Sequence, residues 1–144
     1  MAKIVASVVI DRPVEEVWKF LMDLSKLPKW NTGIQEAKQT SAGPLGVGTT
    51  LQTRSGNMMA DIKVIEYEPG RKFSMEFTSG PVKGSMETST VENVEGKTRF
   101  TRKMDAKFSG VYKLVGPFLT PRFKREYVAS VGNLKRILES VAKS

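Results

Sequence analysis

The sequence contains no cysteine and no histidine among its 144 residues. Without cysteine, the chain cannot form disulfides, thiolate nucleophiles or iron–sulfur clusters. Without histidine, it lacks the side chain that most often acts as a general base and as a transition-metal ligand. These absences exclude a Ser-His-Asp triad, a zinc-binding HExxH helix and a histidine-ligated haem. We therefore predict no metal site and no cofactor, and any catalysis would have to use carboxylates, lysine, arginine, tyrosine or backbone groups.

Long apolar runs and phosphate-binding loops are also missing. No segment approaches the ~18 apolar residues that a membrane-spanning helix needs, and the apolar segment 4–10 runs directly into Asp11-Arg12-Pro13 without a small-residue cleavage site. The chain has neither a GxGxxG nor a GxxxxGK[ST] motif. We therefore predict a cytoplasmic protein, and the length predicts a single domain over residues 1–144.

The positive charge is concentrated in the last third of the chain. The formal net charge is +8, yet residues 97–144 contain 12 Lys/Arg and only three acids, a net charge of +9. Such a field attracts nucleic acid, anionic lipid or anionic ligands. It is also typical of the solvated basic face of a globular protein. No nucleic-acid motif accompanies the charge, so nucleic acid is the least expected partner.

Hydrophobic periodicity predicts an α+β protein. Residues 3–10 are β-branched and predict a buried strand, after which Asp11 and Pro13 begin a helix that is followed by a short segment ending at Trp30. Turns rich in Gly and Pro separate the later alternating segments, which predicts an antiparallel meander. The predicted strands of this meander are residues 34–40, 49–55, 58–67, 71–78, 82–93 and 97–108.

The last element carries a continuous apolar stripe with spacings of three and four residues. Its members are Phe123, Tyr127, Val131, Leu134, Leu138 and Val141. Thr120 suits the N-cap and Pro121 the first position, so the pattern predicts a helix over residues 120–142. A sheet that is followed by one long amphipathic helix must bury a face on that helix.

Several segments, taken in order, resemble one superfamily. They are VVIDRPVEEVWKFLMDLSKLPKW (residues 8–30), VGTTLQT, IEYEPGRKF, the hairpin EGKTRFTRKM and NLKRILE in the last helix. This set, which covers nearly the whole chain, resembles the START-like (SRPBCC, helix-grip) superfamily and in particular its polyketide cyclase/dehydrase-type branch. The resemblance implies a curved seven-stranded antiparallel sheet wrapped around a long C-terminal helix, with two short helices between the first two strands. It also implies a START-like ligand-binding domain, whose cavity between sheet and helix holds a hydrophobic or amphipathic small molecule without metal or nucleotide.

The register of the hairpin over residues 82–108 decides which side chains face that cavity. A two-residue loop, Glu95-Gly96, would place Glu87 opposite Met104. A three-residue loop, 94–96, would place Met86 opposite Met104 and stack apolar residues on one face, and we prefer it. This register predicts that Val82, Gly84, Met86, Thr88 and Thr90 point inward, across from Phe100, Arg102 and Met104.

We predict that the ligand contacts side chains of the sheet, of the segment before the last helix and of that helix. The predicted contacts are Phe73, Met75, Phe77, Met86, Thr88, Phe100, Arg102, Met104, Tyr112, Tyr127 and Val131. Arg102 is a charge on an apolar face, and a buried charge needs a partner. It could anchor a ligand carboxylate, enolate or phosphate, belong to a structural ion pair, or extend to the rim of the sheet.

The segment Phe108–Leu119 combines apolar residues with Gly110, Gly116 and Pro117, which argue against a regular helix. It could be a mobile lid, a dimer or peripheral membrane contact, or a packed lead-in to the last helix. The sequence does not set the oligomeric state.

Three functions remain open. The preferred hypothesis is a non-enzymatic binder or carrier of a lipid-like or polyketide-like molecule. The second is a cyclase/dehydratase or aromatase, with Arg102 stabilising an enolate and Glu66, Tyr67 or Glu76 handling protons, although alternation places Glu76 outward. The third is an interaction module that uses the basic last third against acidic protein, lipid or RNA.

Overall fold

The computed structural model describes residues 2–110 and 112–140, apart from the side chains of Ala2 and Tyr112. Its architecture is an α+β helix grip, as predicted: a seven-stranded antiparallel sheet and a long C-terminal helix, with short helices between the first two strands. The strands are β1 (Ala2–Ile10), β2 (Glu36–Gln39), β3 (Thr50–Ser55), β4 (Met58–Glu68), β5 (Lys72–Phe77), β6 (Met86–Val94) and β7 (Lys97–Ala106). The helices are α1 (Val14–Leu21), a 3₁₀ turn (Leu24–Lys26), α2 (Leu27–Trp30) and α3 (Tyr112–Ser140).

The sheet is an open meander in the spatial order β1-β7-β6-β5-β4-β3-β2. Strands β2 to β7 each pair with their neighbour in the sequence, and β1 closes the other edge against β7. The short helices therefore carry the chain from the β1 edge to the β2 edge. This crossing, together with α3, covers one face of the sheet, which we call the inner face.

Helix α3 begins at Tyr112, eight residues before the predicted start, so the expectation that Gly116 and Pro117 prevent a regular helix is wrong for residues 112–119. Both Pro117 and Pro121 lie inside the helix, and the Thr120 hydroxyl donates a hydrogen bond to the Gly116 carbonyl oxygen at 3.0 Å. Gly116 is needed for packing, because a Cβ built there would overlap Cδ2 of the Phe108 ring. The missing side chain lets the Phe108 ring pack directly on the helix.

The predicted register of the β6–β7 hairpin is wrong by one residue. The loop has two residues, Glu95 and Gly96, both with positive φ (54° and 84°). Two positive φ values are the signature of a type I′ turn, whose twist matches that of the flanking strands. Glu87 therefore pairs with Met104. Every side chain of β6 consequently faces the side opposite to the predicted one, because strand side chains alternate with a period of two.

The inner face has two apolar clusters. The first joins β1, β7, α1, α2 and α3, and its most buried members are Ile4, Ile10, Val17, Phe100 and Leu134. The second is smaller and joins Leu51, Ile62 and Val64 of β3 and β4. Among the strands, α3 packs mainly against β1. We call the β1–β7–α3 side the closed half and the inner face of β3–β5 the open half.

Candidate ligand-binding site

A buried polar network lies between the two halves. Arg102 on β7 donates through Nη2 to Oε1 of Glu87 at 3.0 Å and through Nη1 to the Ser130 hydroxyl at 2.7 Å. The Tyr127 hydroxyl donates to Oε2 of Glu87 at 2.6 Å, and the Ser130 hydroxyl donates to the Tyr127 carbonyl oxygen at 2.7 Å. The network therefore joins α3 to β6 and β7 through hydrogen bonds from charged or buried groups.

Two aromatic rings enclose the guanidinium of Arg102. Its central carbon lies 4.1 Å from the centre of the Tyr127 ring and 5.0 Å from that of Trp30. Within the part of the chain that the structure describes, the Nε–H of Arg102 and the Nε1–H of Trp30 are buried without a hydrogen-bond partner. For Arg102, cation–π contact with the two rings compensates part of the cost of the unpaired N–H group, because such contacts strengthen when water is excluded.

At neutral pH the electrostatics keep Arg102 charged and Tyr127 protonated. Burial alone lowers the pKa of Arg102, but the interactions with Glu87 and Tyr127 together outweigh burial, so that pKa lies above its usual value. Burial and the negative charge of Glu87 together raise the pKa of Tyr127 well above its usual value. Tyr127 therefore remains a hydrogen-bond donor, and the charge of Arg102 is already balanced by Glu87. The sequence leaves three roles open for Arg102, and the geometry shows one of them, a structural ion pair with Glu87.

The open half presents apolar side chains that are only half-buried. Phe73, Met75 and Phe77 alternate along β5 on the inner face, in register with Ser89 and Glu87 of β6. Trp18 of α1 covers the far end, where its ring centre lies 5.7 Å from that of Phe73. Further along the strand, Met75 packs against the small cluster around Val64, and Phe77, the last residue of β5, packs against both clusters. Half-buried apolar surface of the inner face therefore lies along β5, next to the polar network.

The structure separates the predicted ligand contacts into groups. Phe100, Met104 and Val131 are packed inside the closed half, and Tyr127 belongs to the polar network. Their role as ligand contacts stays a prediction, as does that of Phe73, Met75 and Phe77. The side chain of Tyr112 lies outside the described residues.

The inward placement of Met86 and Thr88 is wrong. Met86 is 42% exposed, and the Thr88 hydroxyl is hydrogen-bonded to that of Ser74 on the outer face. There Thr88 lines a shallow groove with Lys72 and Lys103. The one-residue change of register is the cause, because it exchanges the two faces of β6.

Sequence reasoning missed Glu87, although a signal for it was present. The rejected two-residue loop places Glu87 on the same face as Arg102 and thereby gives the buried charge a partner. The preferred register stacked more apolar residues but left that charge without one. A buried guanidinium without a partner costs more than one apolar contact gains, so the need for charge pairing selects the observed register.

The proton-handling residues predicted for an enzyme do not gather around Arg102. Glu66 contacts Lys72 and Ser74, and Glu76 is in register with Lys63, so both lie on the outer face. Hydrogen bonds from Lys72 and Ser74 lower the pKa of Glu66. Tyr67 lies on the inner face, where its ring contacts Trp18.

Within the described ranges, no group of three or more acidic side chains could hold a metal ion. None of the helices in these ranges is both long and apolar enough to cross a membrane.

Comparison with known proteins gives one family and a set of similar folds. Residues 1–139 match the family model described as polyketide cyclase/dehydrase and lipid transport. No curated protein matches the chain. Among solved structures, TTHA0849 from Thermus thermophilus superimposes with a TM-score of 0.79 at 13% identity, covering 97% of this chain and all (100%) of that one. XoxI from Bacillus cereus gives a TM-score of 0.78 at 16% identity and covers 97% of both chains.

A third structure is larger than this chain. DynU16, a protein of the dynemicin biosynthetic locus, gives a TM-score of 0.69 at 21% identity, covering 96% of this chain and 47% of its own. At these identities the similarity establishes the fold.

Proposed function

The chain belongs to the polyketide cyclase/dehydrase and lipid transport family, and from that membership we propose that it binds or carries a hydrophobic or amphipathic small molecule, lipid-like or polyketide-like. The proposed site lies between the inner face of β4–β5 and α3. The observation that carries the proposal is the row Phe73, Met75 and Phe77, which is apolar, faces inward and is only half-buried. Removing such apolar side chains from water is favourable, so a bound apolar molecule that covers them would gain binding free energy.

The polar network supports binding better than catalysis. Glu87, Arg102 and Tyr127 satisfy one another, and Tyr127 has a raised pKa that opposes proton release near neutral pH. General acid–base catalysis needs groups that exchange protons near the operating pH. The acids Glu66 and Glu76, proposed for an enzyme, lie on the other face of the sheet. The network instead forms the polar border of an apolar site.

Binding of a neutral fluorescent probe tests the proposal. N-phenyl-1-naphthylamine becomes fluorescent in apolar sites, and we expect saturable binding to the purified protein. Met75→Gln should weaken this binding by about 1–2 kcal/mol, because it places an amide in the apolar wall. Native mass spectrometry of gently purified protein should in addition reveal any co-purifying hydrophobic molecule.

Met86→Gln is the matched control, because Met86 is a methionine of the neighbouring strand but lies on the outer face. This variant should bind the probe like the wild type. Absence of saturable binding would contradict the proposal, and equal weakening by both variants would show that the probe binds elsewhere.

A further inference from the structure

In the first turns of α3, two large apolar side chains point towards solvent. Leu114 is 81% exposed and Phe118 is 83% exposed, and Pro121 and Arg125 follow on the same face of the helix at spacings of three and four residues. The opposite face of these turns is buried at Gly116, which packs on Phe108. We call the residues Leu114, Phe118 and Pro121 the apolar ridge. It does not belong to the core, because the helix already has a buried face at this level.

Cations flank this ridge along the chain. From Lys107 to Arg125 the sequence contains five Lys or Arg residues and no Asp or Glu, and all five side chains are exposed: Lys107, Lys113, Arg122, Lys124 and Arg125. Glu126 follows at once and pairs with Arg122 at 3.4 Å. An exposed Leu/Phe surface edged by cations is the pattern of helices that lie in a membrane interface.

Another exposed apolar side chain, that of Met59, lies at the same end of the sheet. A Cβ on Gly80 would lie 2.9 Å from the Met59 carbonyl oxygen, and the Ser109 hydroxyl donates to the Gly80 carbonyl oxygen at 3.0 Å. The start of β4 is thus joined through Gly80 to the residues just before α3. Met59 is 44% exposed there. The apolar ridge follows directly on these residues in the chain, so we call the ridge and the β4 start together the end face.

We propose that this end face docks on an anionic lipid bilayer, with Leu114 and Phe118 inserted among the lipids and the surrounding cations on the headgroups. Charge favours this partner over a second copy of the chain. A two-fold interface would bring the same patch of both copies together and place five cations against five. An anionic bilayer provides both a hydrocarbon layer for the apolar ridge and negative headgroups for the cations. The proposal does not depend on whether the inner-face site is occupied.

Vesicle binding tests the proposal with two double variants of the full chain. The wild type should sediment with vesicles of phosphatidylcholine mixed with phosphatidylglycerol, and not with phosphatidylcholine alone, and salt should weaken binding. Lys124→Gln with Arg125→Gln should lower the partition constant about 25-fold, since each cation near an anionic surface contributes about fivefold. Leu114→Gln with Phe118→Gln should lower it at least tenfold, at unchanged thermal midpoint, because both side chains are exposed.

Matched controls come from the opposite end of the sheet. Val47→Gln changes a side chain that is 69% exposed in the loop before β3, and Lys97→Gln changes an exposed cation next to the β6–β7 turn. Both variants should bind vesicles like the wild type.

Three results would overturn the proposal. One is the absence of binding to anionic vesicles at micromolar protein. Another is full binding by the Leu114/Phe118 variant together with loss in the Lys124/Arg125 variant, which would show contact by charge alone. The third is a concentration-dependent dimer, measured by analytical ultracentrifugation, that only the Leu114/Phe118 variant abolishes, which would make the ridge a self-association surface.

Discussion

Similar side chains are buried to different extents in the closed and open halves of the inner face. Phe100 on β7 has no exposed surface (0%), and its ring meets that of Trp30 edge-on at 6.0 Å beneath α3. Phe77 on β5 also faces inward but stays half-buried, because α3 packs mainly against β1. The same residue type thus serves stability on one side and remains available for contact on the other. The Glu87–Arg102 pair lies where the two halves meet.

The largest expected difference is between two Phe→Ala variants. Phe100→Ala should cost about 3–5 kcal/mol of unfolding free energy, because it removes a fully buried ring and leaves a cavity. Phe77→Ala should cost less than half of that, since part of its ring is already in contact with solvent. Chemical denaturation of both variants measures the difference. Equal losses would show that the open half is packed as tightly as the closed half.

Arg102→Met breaks the ion pair with Glu87 that lies between the two halves. This change leaves the buried Glu87 carboxylate without its cation, and we expect a loss of about 3 kcal/mol. Breaking a buried ion pair costs about 3–5 kcal/mol, and we expect the lower value here because Tyr127 still donates a hydrogen bond to Glu87. Glu87→Gln added to Arg102→Met should restore much of the stability by removing the stranded charge. A double-mutant cycle by urea denaturation measures the coupling, and strictly additive losses would contradict a paired role.

Two glycines of α3 sharpen the contrast between a packed and an open helix face. Gly116→Ala should destabilise the protein by about 1 kcal/mol, because the clash with Phe108 outweighs the gain in helix propensity. A Cβ built at Gly132 has no atom within 4 Å, so Gly132→Ala should raise the free energy of unfolding by about 0.5–1 kcal/mol through its higher helix propensity. Thermal denaturation of the two variants should therefore give shifts of opposite sign. A stabilising Gly116→Ala would mean that Phe108 does not pack against this turn.

The smallest effect concerns the C-terminal end of the closed half. Glu139 accepts hydrogen bonds from Lys135 and from the backbone N–H of Asp11, which lower its pKa. A carboxyl whose folded pKa is lowered stabilises the fold above its ordinary pKa and loses that effect as pH falls through the folded value. Between about pH 5 and pH 3, the wild type should therefore lose more stability than Glu139→Gln, by less than about 1 kcal/mol.

Identical pH profiles for the wild type and Glu139→Gln would show that the contact with Asp11 contributes nothing.

Local pattern determined most of the architecture. The order of strands and helices, the meander and the stripe Tyr127, Val131, Leu134 and Leu138 follow from periodicity and turn residues, which report on each segment's own geometry. The same information misplaced the start of α3. Gly116 and Pro117 disfavour a helix locally, whereas in the fold the Phe108 ring rests on the glycine and stabilises that turn.

Only the tertiary structure decided the face of β6 and the partner of Arg102. Both hairpin registers satisfy local turn chemistry, and the choice depends on whether the Arg102 guanidinium finds a carboxylate in the interior. Such pairing joins residues of β6, β7 and α3 that are distant in sequence, so no single segment encodes it. The half-buried state of Phe73, Met75 and Phe77 has the same origin, because it depends on where α3 lies across the sheet.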